Sequence, residues 1–355
     1  MNRKQRRAAA KLGETPSRPP AATPATGVST AAAGFLETGI KHHQAGQLAE
    51  AEACYRRVLA AQPEHADALH LLGVIAYQAR HHDVAVALIS QAIRQNERNP
   101  FYFANLGNAL QDQGRLDEAI AAYRQATIIK PDLAEAHSNL GNALRSQGKL
   151  DEAIAAYRQA IGLKPDYAEA HSNLGTALRD QGKLDEAIAA CRRAIDLKPH
   201  NAEAHCNFGN VLRDQGKLEQ AIAAYRRATG LKPDFAEAHS NLGTALRDRG
   251  ELDAAIAAYR QAIGSKPDYA EAHSNLGIAL QDQGRLDEAI AAYSQAVIIK
   301  PGFVEVHFNL GNVLRSRGRL DEAIAAYRQA IQIKPDLAAP HSNLGNALQA
   351  QGKLD

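Results

Sequence analysis

The chain has no tryptophan, one methionine and three cysteines in 355 residues, and aromatic residues make up only 5% of it. Alanine is abundant instead, which suits closely packed helices better than a sheet core. The cysteines, Cys54, Cys191 and Cys206, stand at no disulfide or metal-ligand spacing, which points to a reducing, cytoplasmic setting. Charge of one sign is also lacking: 41 Lys and Arg face 39 Asp and Glu, and a net charge of +2 gives no electrostatic case for nucleic acid as a partner. No apolar run approaches the roughly 18 residues of a membrane span. The N-terminal "MNRKQRRAAAKLG" is basic but has no secretory apolar stretch. The segment from Glu14 to Thr30 is rich in Pro, Ala and Thr, so residues 1–31 are expected to form a disordered, solvated tail.

What the chain does have is a period. Pro131, Pro165, Pro199, Pro233, Pro267, Pro301 and Pro335 recur at one constant interval, and Gly39, Gly73, Gly107 and Gly141 begin a second series with the same interval that runs to Gly345. A fixed period in the range of about 20–50 residues marks a repeat array, which grows linearly and has no single central core.

One unit, 134–167, shows how the word is built. Asp132 and Glu135 stand at the spacing of a capping box ahead of a helix. Ala136, Leu140, Ala143 and Leu144 then fall at helical spacing. Gly148 is placed to end that helix, and Asp151 and Glu152 suit the positive end of a second one. The second apolar stripe is Ala153, Ile154, Tyr157, Ala160 and Ile161, and Pro165 stops it. Gly141 lies mid-helix, where glycine costs about 1 kcal/mol relative to alanine; close approach of the paired helix is the expected compensation. A hairpin alone cannot bury both stripes, so the units must stack.

Leu140, Gly141, Ala153, Tyr157, Ala160 and Pro165, with their equivalents down the chain, resemble the tetratricopeptide-repeat pattern. His137 stands where that pattern has tryptophan. The resemblance implies an all-α, right-handed α-solenoid, or superhelix, of 34-residue helix-turn-helix units. The frame gives nine repeats over 32–337 (32–65, 66–99, 100–133, 134–167, 168–201, 202–235, 236–269, 270–303 and 304–337), then the first helix of a tenth over 338–355. The early units have drifted, with Arg80 in place of the turn glycine and Glu97 in place of the proline.

Candidate chemistry is sparse. His137, His171, His205, His239, His273, His307 and His341 recur one unit apart, at least one helix-packing distance of roughly 8–10 Å. Zinc needs ligands within about 2.3 Å of one point, so no metal site is expected and a packing role is. Ser138 and His137 are sequence neighbours, about 100° apart on a helix, which is not attack geometry. Asp151 and Glu152 read as solvated charges. No catalytic residue, cofactor or phosphate loop is found, and the region is not expected to be an enzyme.

The asparagines form a ladder: Asn105, Asn139, Asn173, Asn207, Asn241, Asn275, Asn309 and Asn343. A second series reads Asn108, Asn142, Thr176, Asn210, Thr244, Ile278, Asn312 and Asn346. The resemblance places the first series in the inner groove, with serines such as Ser138 and Ser240, glutamates such as Glu135, and Arg145, Arg179, Arg213, Arg247 and Arg315 toward one wall. A carboxamide with two donors and two acceptors can pair with the peptide groups of an extended chain whatever its side chains. It can equally bond to neighbouring backbone or water, and both readings stand at this point.

"AEAHSNLG" and "GKLDEAIAAYRQAI" are also similar to the repeats of the O-linked N-acetylglucosamine transferases, in which a superhelix precedes a glycosyltransferase domain. No catalytic segment of those enzymes occurs here. The expected function is therefore a scaffold binding extended polypeptide in its concave groove. The alternative is the substrate-recognition region of a longer glycosyltransferase. Self-association is a third possibility, and neither nucleic acid nor membrane is an expected partner.

Overall fold

A computed structural model describes residues 28–352. All regular structure among the described residues is α-helical, in nineteen helices. First helices, each 13 residues long, begin at positions 66, 100, 134, 168, 202, 236, 270, 304 and 338. Second helices, each 14 residues long, begin at positions 48, 82, 116, 150, 184, 218, 252, 286 and 320. The opening helix, Val28–Gln44, starts ahead of the boundary expected at 32. The tail over 1–27 lies outside the described residues, as do 353–355. The chain divides after Ala177 into two compact units, each an array of helical hairpins.

Helix ends differ in detail from expectation. The capping box at Asp132 and Glu135 does not form, because the N-cap falls one residue later, at Leu133, which has no side-chain acceptor. Where the same register carries a polar residue the cap is made: Asn201 Oδ1 accepts from the backbone N–H groups of Glu203 and Ala204. The turn within the hairpin follows expectation, with Gly148 at φ +77° and the Lys149 N–H closing on Leu144 O. Arg80 holds the same turn at φ +63°, left-handed backbone that costs a side-chain-bearing residue about 1–2 kcal/mol. Arg80→Gly is accordingly expected to raise unfolding stability by about 1 kcal/mol. An unchanged or lower urea midpoint would contradict the strain.

Within a hairpin the second-helix tyrosine is the centre of packing. Tyr157, Tyr225, Tyr259, Tyr293 and Tyr327 are fully buried among alanines that are also fully buried, such as Ala153 and Ala160. The mid-helix glycine is explained by that ring. A Cβ on Gly141 would stand 2.6 Å from Tyr157 Cε1. The close approach is thus ring against backbone, with the glycine as the seat of the ring. In the 66–99 unit Ile89 replaces the tyrosine, and its Cγ1 takes the space beside Gly73.

Adjacent hairpins are joined by polar bonds that repeat with the sequence. The turn glutamine donates to the first-turn aspartate of the preceding second helix, as in Gln215 Nε2 to Asp185 Oδ1 and Gln283 Nε2 to Asp253 Oδ1, both 2.6 Å. Arg317 makes the equivalent contact to Asp287 with two N–H groups. These aspartates are therefore partnered, not simply solvated as expected for Asp151 and its equivalents. The histidine series has a bonding role as well as a place in the packing. Each ring donates from Nε2 to the carbonyl of the inter-repeat proline, His137 to Pro131 at 2.9 Å and His239 to Pro233 at 2.9 Å. A carbonyl only accepts, so Nε2 carries the proton.

Candidate functional site

The ladder asparagines occupy the sixth position of successive first helices, and each is half-buried. Direct contact between first helices, such as 202–214 with 236–248 and 236–248 with 270–282, brings consecutive rungs together.

Four of the eight rungs are tied to the second asparagine series. Asn139 Nδ2 donates to Asn108 Oδ1 at 3.1 Å, Asn173 to Asn142 at 2.9 Å, Asn241 to Asn210 at 3.0 Å and Asn343 to Asn312 at 2.8 Å. The accepting oxygen also receives the buried tyrosine hydroxyl of its own hairpin: Tyr123 on Asn108, Tyr157 on Asn142, Tyr225 on Asn210 and Tyr327 on Asn312. One carboxamide oxygen thereby satisfies the tyrosine inside the hairpin and holds the next hairpin outside it. Asn105 differs, donating to His70 Nε2 at 2.8 Å. Asn207 is also engaged. Among the described residues no side-chain hydrogen bond forms at Asn275 or Asn309, whose counterparts in the second series are Thr244 and Ile278.

Other expected groove residues are corrected. Ser138, Ser172, Ser240 and Ser274 are buried, between 2% and 6% exposed, and do not line an open surface. They precede the asparagines by one residue, and the helical step of about 100° carries them from the open face into the packed seam. Three of the arginines are held by neighbouring acids: Arg179 reaches Asp180 at 2.9 Å and Asp214 at 3.6 Å, Arg213 reaches Asp214 at 3.6 Å, and Arg247 reaches Asp248 at 3.5 Å.

Burial pushes the Cys191 and Cys206 thiols up to about 12, so neither supplies a thiolate nucleophile near neutral pH. His70 is buried against Tyr102, with ring centroids 4.5 Å apart, and burial drives its pKa down to about 4. Among the described residues no group of three or more His, Cys, Asp and Glu side chains could hold a metal ion. No helix among them is long and apolar enough to cross a membrane.

With this geometry in view, the family model described as tetratricopeptide repeat matches residues 104–168, 138–202, 206–270 and 241–303, more than half of the chain. The chain belongs to the tetratricopeptide-repeat family. A further model, TPR repeat, covers 311–352, and that of anaphase-promoting complex, cyclosome, subunit 3 covers 44–126. Among curated proteins, protein O-mannosyl-transferase TMTC1 of Mus musculus is 35% identical over 95 residues, 26% of this chain and 10% of that protein. Its Homo sapiens counterpart is 30% identical over the same length, 11% of that protein. The chain thus spans about a tenth of the curated relatives it matches. The solved APC/C hetero-tetramer Cut9-Hcn1 has the same fold, with a TM-score of 0.59 over 91% of this chain and 77% of that one, at 16% identity. MamA aligns over 46% of this chain and 95% of its own, with 30% identity and a TM-score of 0.41.

Proposed function

We propose that this tetratricopeptide-repeat chain is a protein-interaction scaffold that receives an extended polypeptide along its first-helix face, in the concave groove that the family resemblance implies, in a cytoplasmic setting. The observation that carries this reading is the recurrence of a half-buried carboxamide at one position of successive first helices, from Asn105 to Asn343. The bonds from Asn139, Asn173 and Asn343 to neighbouring hairpins use the amide nitrogen, so the carbonyl oxygens remain acceptors for peptide N–H groups. Such a surface reads main chain and tolerates varied side chains.

A blocked, fluorescein-labelled peptide of about 20 Ser, Thr and Asn residues with one central leucine is a direct probe, since chains of low helical propensity stay extended at little cost. Saturable anisotropy with this peptide, and none with a helical Ala/Glu/Lys peptide of equal length, supports the reading. Preference for the helical peptide overturns it.

A second reading is favoured by the match to the O-mannosyl-transferase, together with the resemblance to O-linked N-acetylglucosamine transferase repeats. In it the array delivers protein segments to a glycosyltransferase domain of a longer parent. Transfer of labelled sugar to a bound polypeptide by the full natural protein would support it; binding without transfer would leave the scaffold alone. Self-association is separated from both by the dependence of solution mass on concentration.

A further inference from the structure

Within residues 178–355 the chain of carboxamide bonds is interrupted twice in succession. At both ends of the interruption the relay is intact, with Asn210 accepting from Asn241 and Tyr225, and Asn312 accepting from Asn343 and Tyr327. Between them the acceptor position is Thr244 and then Ile278. Thr244 Oγ1 receives the Tyr259 hydroxyl at 3.1 Å and itself donates to Ser240 O at 3.1 Å, and its oxygen sits one bond nearer the backbone than a carboxamide oxygen. Ile278 offers no acceptor, and the Tyr293 hydroxyl turns instead to Gln281 Oε1 at 3.1 Å. The side chains of the rungs that follow, Asn275 and Asn309, therefore form no hydrogen bond among the described residues.

The surroundings of these two rungs differ as well. Ile278 stands three residues after Asn275, on the same side of its helix. Phe308 precedes Asn309 at the position where Ser138, Ser172, Ser240 and Ser274 are buried in their units; its ring is larger and is half-exposed, 6.2 Å from the Tyr327 ring. Two uncommitted carboxamides on adjacent first helices thus share their neighbourhood with two half-buried apolar side chains.

We infer that Asn275 and Asn309 are the rungs that grip the partner, and that Thr244 and Ile278 act by releasing them. The ligand is an extended polypeptide whose main-chain N–H and C=O groups pair with both carboxamides and whose aliphatic or aromatic side chain rests against Ile278 and Phe308. This deepens the scaffold reading and depends on it. In rungs such as Asn139 and Asn241 the bond to the neighbouring hairpin spends one N–H and fixes the carboxamide's orientation, whereas Asn275 and Asn309 are free to turn toward a ligand with both N–H groups and the carbonyl.

The test uses the same leucine-bearing peptide, its leucine-free version, and the full chain. Asn275→Ala and Asn309→Ala are each expected to weaken binding by about three- to tenfold, the range of one or two hydrogen bonds. Asn139→Ala and Asn241→Ala are expected to lower the melting temperature and, at temperatures where they remain folded, to weaken binding by less than Asn275→Ala or Asn309→Ala does, since each is held in one orientation by its bond to the neighbouring hairpin. Thr244→Asn supplies the carboxamide acceptor and should tie Asn275 down, so binding weakens although neither a rung nor an apolar contact is removed. The leucine-free peptide should bind less tightly. Equal losses from Asn241→Ala and Asn275→Ala would overturn this assignment while leaving the scaffold reading intact; no binding by the parent chain would overturn both. A ligand-free measurement tests the release itself: side-chain amide protons of Asn275 and Asn309 should exchange with water faster than those of Asn241 and Asn343. Equal rates would refute it.

Discussion

Replacing Tyr259 by alanine is expected to destabilise the array by about 3–5 kcal/mol, the range for truncating a buried aromatic side chain. The ring is fully buried, its hydroxyl reaches Thr244 Oγ1, and Gly243 is bare so that the ring can lie against it. Truncation empties that seat, and small neighbours such as Ala255, Ala258 and Ala262 cannot fill it. In an array each unit is supported mainly by its neighbours, so the loss should appear first as weakened amide protection over 236–282. Glycine supplies the internal control. Gly243→Ala puts a Cβ 2.7 Å from the Tyr259 ring, an overpacking that costs about 1–3 kcal/mol and outweighs the gain in helix propensity. In the Tyr259→Ala background the obstacle is gone, and the same substitution should stabilise, by up to about 1 kcal/mol. Additive effects in this double-mutant cycle would show that ring and glycine are not coupled.

Acid should weaken the first part of the chain through His70. Its pKa is 6.5 when solvated and about 4 in the fold, chiefly because burial disfavours the imidazolium, with Asp67 opposing and His43 adding to the shift. Between those values the unfolded chain binds more protons than the folded one. The contribution is therefore fully present above about pH 6.5, falls as pH drops toward about 4, and levels off below; at about 1.4 kcal/mol per pH unit the whole window amounts to about 3 kcal/mol. The bond from Asn105 fits the neutral ring, since it needs a bare Nε2 acceptor. Unfolding midpoints for the parent and for His70→Ser, measured from about pH 7 to about pH 5, isolate the effect from that of carboxylates titrating lower. A parent curve no steeper than that of the variant would contradict it.

Much of the architecture could be read before any coordinates. The constant interval between successive prolines and glycines marks an all-α array of repeated helix pairs, because helix breakers and apolar stripes are local signals. The bonds between copies could not be read in the same way. His137 is compatible with packing or bonding until Pro131 O is placed beside it, and the partner of each turn glutamine lies in the preceding repeat. The serines show the limit of reasoning by position: Ser138 and Asn139 are adjacent in sequence, yet one is buried and the other half-exposed. The ladder posed the hardest case. Its regularity fits asparagines that bind a partner as well as asparagines that bond to their neighbours, and Asn139, Asn173, Asn241 and Asn343 do join hairpins. The irregularities at Thr244 and Ile278 were present in the sequence, but their consequence depends on a bond between successive repeats that only the fold displays.

The central claim, that the first-helix face receives an extended chain, is tested most directly by paramagnetic broadening from a nitroxide at the centre of the leucine-bearing peptide. Bound peptide should broaden the side-chain amide signals of Asn275 and Asn309 strongly, and leave the methyl signals of Ile128 and Ile298, exposed on second helices, near their free intensities. Broadening centred on Ile298, with the asparagine signals unchanged, would place the partner on the opposite set of helices and contradict the account.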